Sequence, residues 1–387
     1  MSVARIGVLG AGTMGAGIAQ VAALGGYETR LYDAIPGAAE AGAARLGEAL
    51  AKGAARGRWS EADAEAAANR VSPAPELEQL AGCDLLIEAA PEDLALKRQL
   101  FAAVAEVCGP EAILATNTSS LQVAAIAAGV PEPQRVVGMH FFNPPALMKL
   151  VEVVATAESS ERALAATAAV AERMGRTPIR ASDTPGFVAN RLARPFNLEA
   201  LRMLGDGLAE PEEIDRAYKL GGGFKMGPFE LIDLIGLDVN LAIARSFFAQ
   251  GGEPERWRPS PIQERMVEEG RLGRKSGKGF YAYDEDGSQR GVPYGSDRPK
   301  KPTATKEIVL RLFAQIANEA HFALEERIAS PEDMDTATRL GLNWPLGSLE
   351  IAEQIGPRRA LETLERLEAE HGGAYAAAPL LREAAGR

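Results

Sequence analysis

The first thirty-three residues constrain this chain more than any other segment. Arg5-Ile6-Gly7-Val8-Leu9 reads as a strand, Gly10-x-Gly12-x-x-Gly15 follows at once, and residues 16–24 continue with small and apolar helix-compatible side chains. In such a strand–turn–helix unit the first glycine permits the tight bend and the second lets backbone approach a pyrophosphate. The third lets the helix pack closely on the strand. The free N–H groups and dipole at the helix start then favour phosphate charge. A bare glycine motif is weak, but a second strand, residues 28–32, ends at Asp33, eighteen residues after Gly15. An acid there can accept hydrogen bonds from the adenosine ribose hydroxyls and would repel a 2′-phosphate, which predicts NAD over NADP as cofactor. The alternative is a plain turn acid at a strand end.

The α/β rhythm continues beyond Asp33. An Ala-rich helical stretch covers 36–68, strands are predicted over 84–88, 112–116, 135–140 and 149–154, and helices over 93–107 and 160–174. A last short strand, 177–181, closes a domain near residue 182. This alternation predicts an α/β Rossmann-like, doubly wound N-terminal domain. From Pro185 the pattern turns helical, and residues 284–305, rich in Gly, Pro and charge, read as a linker.

The helical part is duplicated. Shifting residues 199–236 by 120 positions lays them on 319–356 without a gap, with 14 of 38 positions identical, where chance at ordinary composition gives about three. Pro211 falls on Pro331, Asp215 on Asp335, Gly227 on Gly347, Glu230 on Glu350 and Gly236 on Gly356. Two homologous all-α domains are therefore expected after the first, giving boundaries of 1–182, 183–290 and 300–387.

Composition narrows the partners. The 53 acidic against 42 basic residues leave a formal charge of −11, which argues against a general nucleic-acid or anionic-membrane surface. No apolar run reaches the length of a membrane span. Two cysteines, Cys83 and Cys108, lack metal-ligand spacing, and no signal peptide is evident, so a reducing cytoplasm is expected and no metal.

Several segments together resemble the L-3-hydroxyacyl-CoA dehydrogenases, most closely their bacterial 3-hydroxybutyryl-CoA branch. They are Gly10-Ala11-Gly12-Thr13-Met14-Gly15, Thr116-Asn117-Thr118-Ser119-Ser120, Gly138-Met139-His140-Phe141-Phe142-Asn143-Pro144-Pro145 and Met148-Lys149-Leu150-Val151-Glu152. To these add Asp183-Thr184-Pro185-Gly186-Phe187 with Asn190-Arg191, and the run from Gly273 to Tyr281. The likeness runs from residue 5 to about 285, and the second helical copy resembles the extended forms that carry two C-terminal domains. It implies interconversion of an (S)-3-hydroxyacyl-CoA and its 3-oxoacyl-CoA. The length leaves no room for the hydratase module of the multifunctional forms.

The chemistry agrees with this. Oxidising a secondary alcohol with NAD requires removal of the hydroxyl proton as hydride leaves, and histidine suits that exchange near neutrality. Of three histidines only His140 sits at a strand end in the α/β part, and Glu152 on the next strand can accept its N–H and stabilise the imidazolium. A core histidine with a structural glutamate is the competing reading. The resemblance implies that Ser119 and Asn190 complete the site by orienting substrate in a cleft between domains, although Ser119 could instead be a helix N-cap. It also implies that Gly10, Gly12, Thr13, Met14, Gly15, Glu92, Lys97, Asn117 and Asn143 contact the dinucleotide. Lys52, Arg56 and Arg58 lie where the family binds the coenzyme A phosphates, with a solvated basic helix face as the alternative. The acyl group stays open between a short chain and a dicarboxylic one such as 3-hydroxyadipyl. A free-acid dehydrogenase, which would place a lysine as the acid/base, and a non-catalytic NAD-binding protein are the competing functions. Single-domain members dimerise through their helical domains, so the fused second copy is expected to form an internal pseudo-dimer, with a homodimer as the alternative. Leu310 stands where Asn190 falls under the shift, so this copy is not expected to be catalytic.

Overall fold

The computed structural model describes residues 3–291 and 305–386. They form two compact units, Met1–Phe187 and Val188–Arg387. Pro293, Gly295, Pro299 and Pro302 of the expected linker lie outside the described residues.

The first unit is built on an eight-stranded sheet in the order β3-β2-β1-β4-β5-β6-β7-β8. In chain order its elements are β1 (Arg5–Leu9), α1 (Thr13–Leu24), β2 (Glu28–Tyr32), α2 (Ala38–Ala55), α3 (Glu61–Asn69) and β3 (Val71–Ala74). There follow β4 (Leu85–Glu88), α4 (Leu94–Val107), β5 (Ile113–Thr116), α5 (Val123–Ala127), β6 (Val136–Phe141), β7 (Leu150–Ala155), α6 (Glu161–Arg173) and β8 (Thr177–Ser182). Strands β4, β5 and β6 are buried along their whole length, as strands covered by helices on both faces must be. Strands β1 to β6 pair in parallel, but β7 runs antiparallel to β6, and β8 is parallel to β7. The connection from Phe141 to Leu150 is too short for a crossover helix, so the chain can only fold straight back; α6 supplies the crossover to β8. The edge strand β3 carries Pro73 in an exposed stretch, where an unpaired edge tolerates a missing N–H.

The second unit is helical: α7 (Ala189–Leu192), α8 (Arg194–Gly205), α9 (Pro211–Gly222), α10 (Pro228–Ile235), α11 (Leu237–Gln250) and α12 (Pro261–Glu268). A small hairpin of β9 (Ala282–Tyr283) and β10 (Gln289–Gly291) closes the first copy. The second copy holds α13 (Thr305–Glu325), α14 (Pro331–Gly341), α15 (Ser348–Ile355), α16 (Pro357–His371) and α17 (Pro379–Ala385). The sequence repeat is a structural repeat. Asp215 accepts the N–H groups of Phe229 and Glu230 at the start of α10, and Asp335 accepts that of Leu349 at the start of α15. Gly227 and Gly347 have no room for a side chain because a Cβ would meet these same aspartates at 2.4 Å or less. The two copies share one core. Ile308, Leu312, Phe313, Ile316 and Trp344 of the second copy pack with Phe196, Tyr218, Phe224 and Phe229 of the first. Among the described residues no helix is long and apolar enough to cross a membrane.

Candidate active site

The glycines of the first turn show what the turn is for. Gly10 has φ +100°, and a Cβ there would lie 2.7 Å from the Ala89 carbonyl oxygen. A Cβ on Gly15 would lie 1.7 Å from the Gly10 oxygen, whereas one on Gly12 would meet nothing within 4 Å. Gly10 and Gly15 are thus required by the protein's own backbone, while Gly12 keeps clear a space in front of the α1 N-terminus. That helix starts at Thr13 without a side-chain cap and without an acid in its first turn, so its N–H groups are free to meet an anion. Thr13 is exposed and Met14 half-buried beside the turn. Asp33, at the end of β2, accepts the Ala11 N–H at 2.7 Å and the Ile35 N–H at 2.9 Å. Each oxygen retains a lone pair for a further donor, and the bond to Ala11 fixes the acid against the turn. The residues present fit a dinucleotide.

The antiparallel return of β7 sets His140 directly across from Glu152. Side chains of such a pair leave the sheet on the same face, and here His140 Nδ1 and Glu152 Oε2 are 2.6 Å apart, with the glutamate wholly buried. Phe142 and Phe187 pack on the imidazole at ring-centroid distances of 4.6 and 5.7 Å. Glu152 fixes which nitrogen faces away: Nδ1 is engaged, so Nε2 is the atom that can exchange a proton.

Between the turn and the histidine lies a polar network that the sequence only partly announced. Lys97 is buried, and its ammonium donates to Glu88 Oε1 at 2.6 Å and the Ala90 carbonyl at 3.2 Å, and lies 3.3 Å from Glu92 Oε2. Glu92 in turn accepts the N–H groups of Ser119 and Ser120 and the hydroxyls of Thr118 and Ser120. Burial alone would raise the Glu92 carboxyl, but the Thr118 hydroxyl, the Lys97 ammonium and the serine donors hold it below its ordinary value. Ser119 is exposed on this loop. It caps no helix, because α5 begins after Gln122 and its first two N–H groups go to Asp183. Asn117 accepts the Phe141 N–H through Oδ1 at 2.8 Å, tying the loop to the strand that carries His140. Asn143 is exposed just beyond that strand. Asn190 lies half-buried on α7, in the second unit.

Lys52, Arg56 and Arg58 are exposed around the C-terminal end of α2. Lys52 is 3.6 Å from Glu48; among the described residues Arg56 and Arg58 have no acidic partner. Sequence reasoning missed Glu88, which also accepts the Thr116 hydroxyl at 2.7 Å, and gave no part to Asp183 beyond its place in a quoted segment. Glu88 ends a wholly apolar strand, and that placement was the available signal.

Comparison with known proteins places this geometry in a family. The 3-hydroxyacyl-CoA dehydrogenase NAD-binding domain matches residues 5–184, and the C-terminal domain of the same family matches 186–283 and 308–386, one stretch for each helical copy. The chain is 36% identical to 3-hydroxyadipyl-CoA dehydrogenase of Escherichia coli, covering 100% of this chain and 98% of that one. It is 45% identical to a probable 3-hydroxybutyryl-CoA dehydrogenase of Bacillus subtilis, over 74% of this chain and 99% of the relative. A crystal structure of 3-hydroxybutyryl-CoA dehydrogenase from Escherichia coli superposes with a TM-score of 0.91 at 35% identity, covering 100% and 98% of the two chains. The chain belongs to the 3-hydroxyacyl-CoA dehydrogenases, oxidoreductases that use NAD.

Proposed function

We propose that His140 and Glu152 carry the proton chemistry of an (S)-3-hydroxyacyl-CoA dehydrogenase in this chain. The observation that supports this most is the buried 2.6 Å contact between them, which leaves Nε2 to act. In the oxidative direction His140 Nε2 takes the proton of the substrate hydroxyl, and the Glu152 carboxylate stabilises the imidazolium. NAD, when bound, accepts the hydride from the same carbon. Gly10, Gly12, Thr13, Met14 and Gly15 would hold its pyrophosphate at the start of α1, and Asp33 would hold the adenosine ribose. Ser119 and Asn190 orient the reacting oxygen, as the resemblance implies. Asn117 and Asn143 flank the strand end that presents His140. Lys97 acts through Glu92: it fixes the carboxylate that holds the Ser119 loop, and Glu92 is the member of that pair exposed enough to meet a ligand.

The substrate is a coenzyme A thioester, with Lys52, Arg56 and Arg58 meeting its phosphates. The acyl group is a short chain, 3-hydroxybutyryl, or a dicarboxylic one, 3-hydroxyadipyl, and relatives carry both names. Following NADH consumption with acetoacetyl-CoA and with 3-oxoadipyl-CoA separates them. A kcat/KM at least about tenfold higher for one thioester assigns it, since that ratio is about 1.4 kcal/mol of transition-state discrimination. No turnover of either would refute both acyl assignments, whereas a His140→Gln variant that kept turnover within a few fold of wild type would refute the dyad's role. The second helical copy covers the apolar face of the first as an internal pseudo-dimer. Both cysteines are free and buried, and burial pushes Cys83 up to about 12 and Cys108 up to about 11. Such protonated, inert thiols fit the cytoplasm.

A further inference from the structure

The 120-residue repeat relates more than two helix sets. Arg191 falls on Arg311, Glu199 on Glu319 and Asp206 on Glu326. These six side chains pair across the copies in reciprocal fashion. Arg191 Nε donates to Glu319 at 2.9 Å, and its two terminal nitrogens donate to Glu326 at 2.5 and 2.8 Å. Arg311 Nε donates to Glu199 at 2.7 Å, and its Nη2 donates to Asp206 at 3.0 Å. Residue i of one copy meets residue j of the other, and j meets i, which is the signature of a two-fold interface contained in one chain. Both arginines and both inner glutamates are buried.

The two halves of this arrangement hold different things. Arg311 lies inside α13, a helix of 21 residues that is held by its own ladder and by packing on α8, α9, α15 and α16. Arg191 lies on α7, a helix of four residues, directly after Asn190. Only Ala193, itself in the right-handed helical region, separates α7 from α8, so the regular helix is interrupted three residues after Asn190. At that interruption the turn is held from outside as well as by α8, and Arg191 is its largest buried side chain, gripped by three charge-assisted bonds and stacked 5.0 Å over the Trp257 ring. Trp257 and Arg256 donate to the same Glu319, at 3.0 and 3.1 Å, which orients that carboxylate in turn.

We infer that Glu319 and Glu326, in the copy that lacks the asparagine, are positioning residues for Asn190, acting through Arg191. This rests on the substrate-orienting role proposed above for Asn190. The second copy then serves the catalytic apparatus through Arg191. The Arg311 cluster is its built-in control: the same arginine–carboxylate pairing, joined there by Tyr375 and His371, with Leu310 in place of the asparagine.

The test uses the full chain, acetoacetyl-CoA or 3-oxoadipyl-CoA, whichever turns over, and NADH. Glu326→Gln and Asp206→Asn each remove one carboxylate charge at equivalent positions, and both side chains are part-exposed, so both variants are expected to fold with similar falls in Tm. Only Glu326→Gln is expected to lower kcat, by about tenfold or more, as a small misplacement of an orienting group does, with KM for NADH unchanged. Glu326→Asp keeps the charge but shortens the reach, and is expected to lower kcat at nearly wild-type Tm. The inference is overturned if Glu326→Gln and Glu326→Asp both keep kcat within twofold of wild type while Asn190→Ala is impaired, or if Asp206→Asn lowers kcat as much as Glu326→Gln. An unimpaired Asn190→Ala would instead remove the role on which the clamp depends, and both readings would fall together.

Discussion

At the residue scale, the dyad makes a strong demand on His140. Glutamine keeps the size and a hydrogen-bonding head that can reach Glu152, but it cannot take a proton. His140→Gln is expected to bind NADH nearly as wild type does and to lose about 10²–10⁴ in kcat, the span of a lost general base; fluorescence titration of NADH and steady-state turnover check the two halves. Glu92 sets a pH limit of its own. Its carboxyl is held below its ordinary 4.5 in the folded protein, so its contribution to stability is fully present above that value and is lost as pH falls through the lower folded value. The amides of Ser119 and Ser120 should lose exchange protection over that acid range, beyond the intrinsic pH effect. In Glu92→Gln the protection should be weaker throughout and no longer follow that titration. The pairing of His140 with Glu152 and the place of Asp33 against the glycine turn were legible, because neighbouring strands and a strand end bring those side chains together. The buried setting of Lys97 was not, because its partners Glu88 and Glu92 come close only once β4 and α4 have packed.

At the scale of elements, the strand–turn–helix start was readable in full, since each glycine answers to a local requirement. The structure divides those requirements, and a pair of substitutions should separate them. Gly15→Ala drives a Cβ into the Gly10 oxygen and is expected to lower Tm markedly. Gly12→Ala meets only open space and is expected to leave Tm close to wild type while raising the NADH Kd at least about tenfold, or 1.4 kcal/mol. Calorimetry and a binding titration on the same samples decide this; equal losses of stability would contradict the division. Strand β3 escaped notice because Ser72 and Pro73 are poor strand formers that only an edge accepts. The direction of β7 was equally hidden. A run of apolar residues gives a strand its burial but not its sense, and the short connection from β6 decides that.

For the whole molecule, the repeat announced two helical copies but not how they meet. Offsets in sequence carry no information about which faces touch, and the reciprocal arginines become visible only when the copies are seen packed. The shared core implies that neither copy is complete alone. Removing residues 296–387 strips Ile308, Leu312, Phe313, Ile316 and Trp344 from the apolar cluster around Phe196 and Phe224, and exposed patches of that kind associate. The truncated chain is expected to dimerise or aggregate in light scattering. A soluble, monomeric and equally stable product would show that the second copy covers nothing essential.

The pairing of Asn190 with Leu310 has a consequence for how such a chain can change. In a dimer of identical subunits every substitution is made twice, so a residue needed in one half cannot be given up in the other. Once both halves are written on one chain, each position can be set separately. On the role proposed for Asn190, the half that keeps it is bound to the chemistry, while its counterpart can carry Leu310 there and keep only the charges that grip its neighbour. Two halves on one chain can thus become a worker and a brace, a division of labour not open to a symmetric pair.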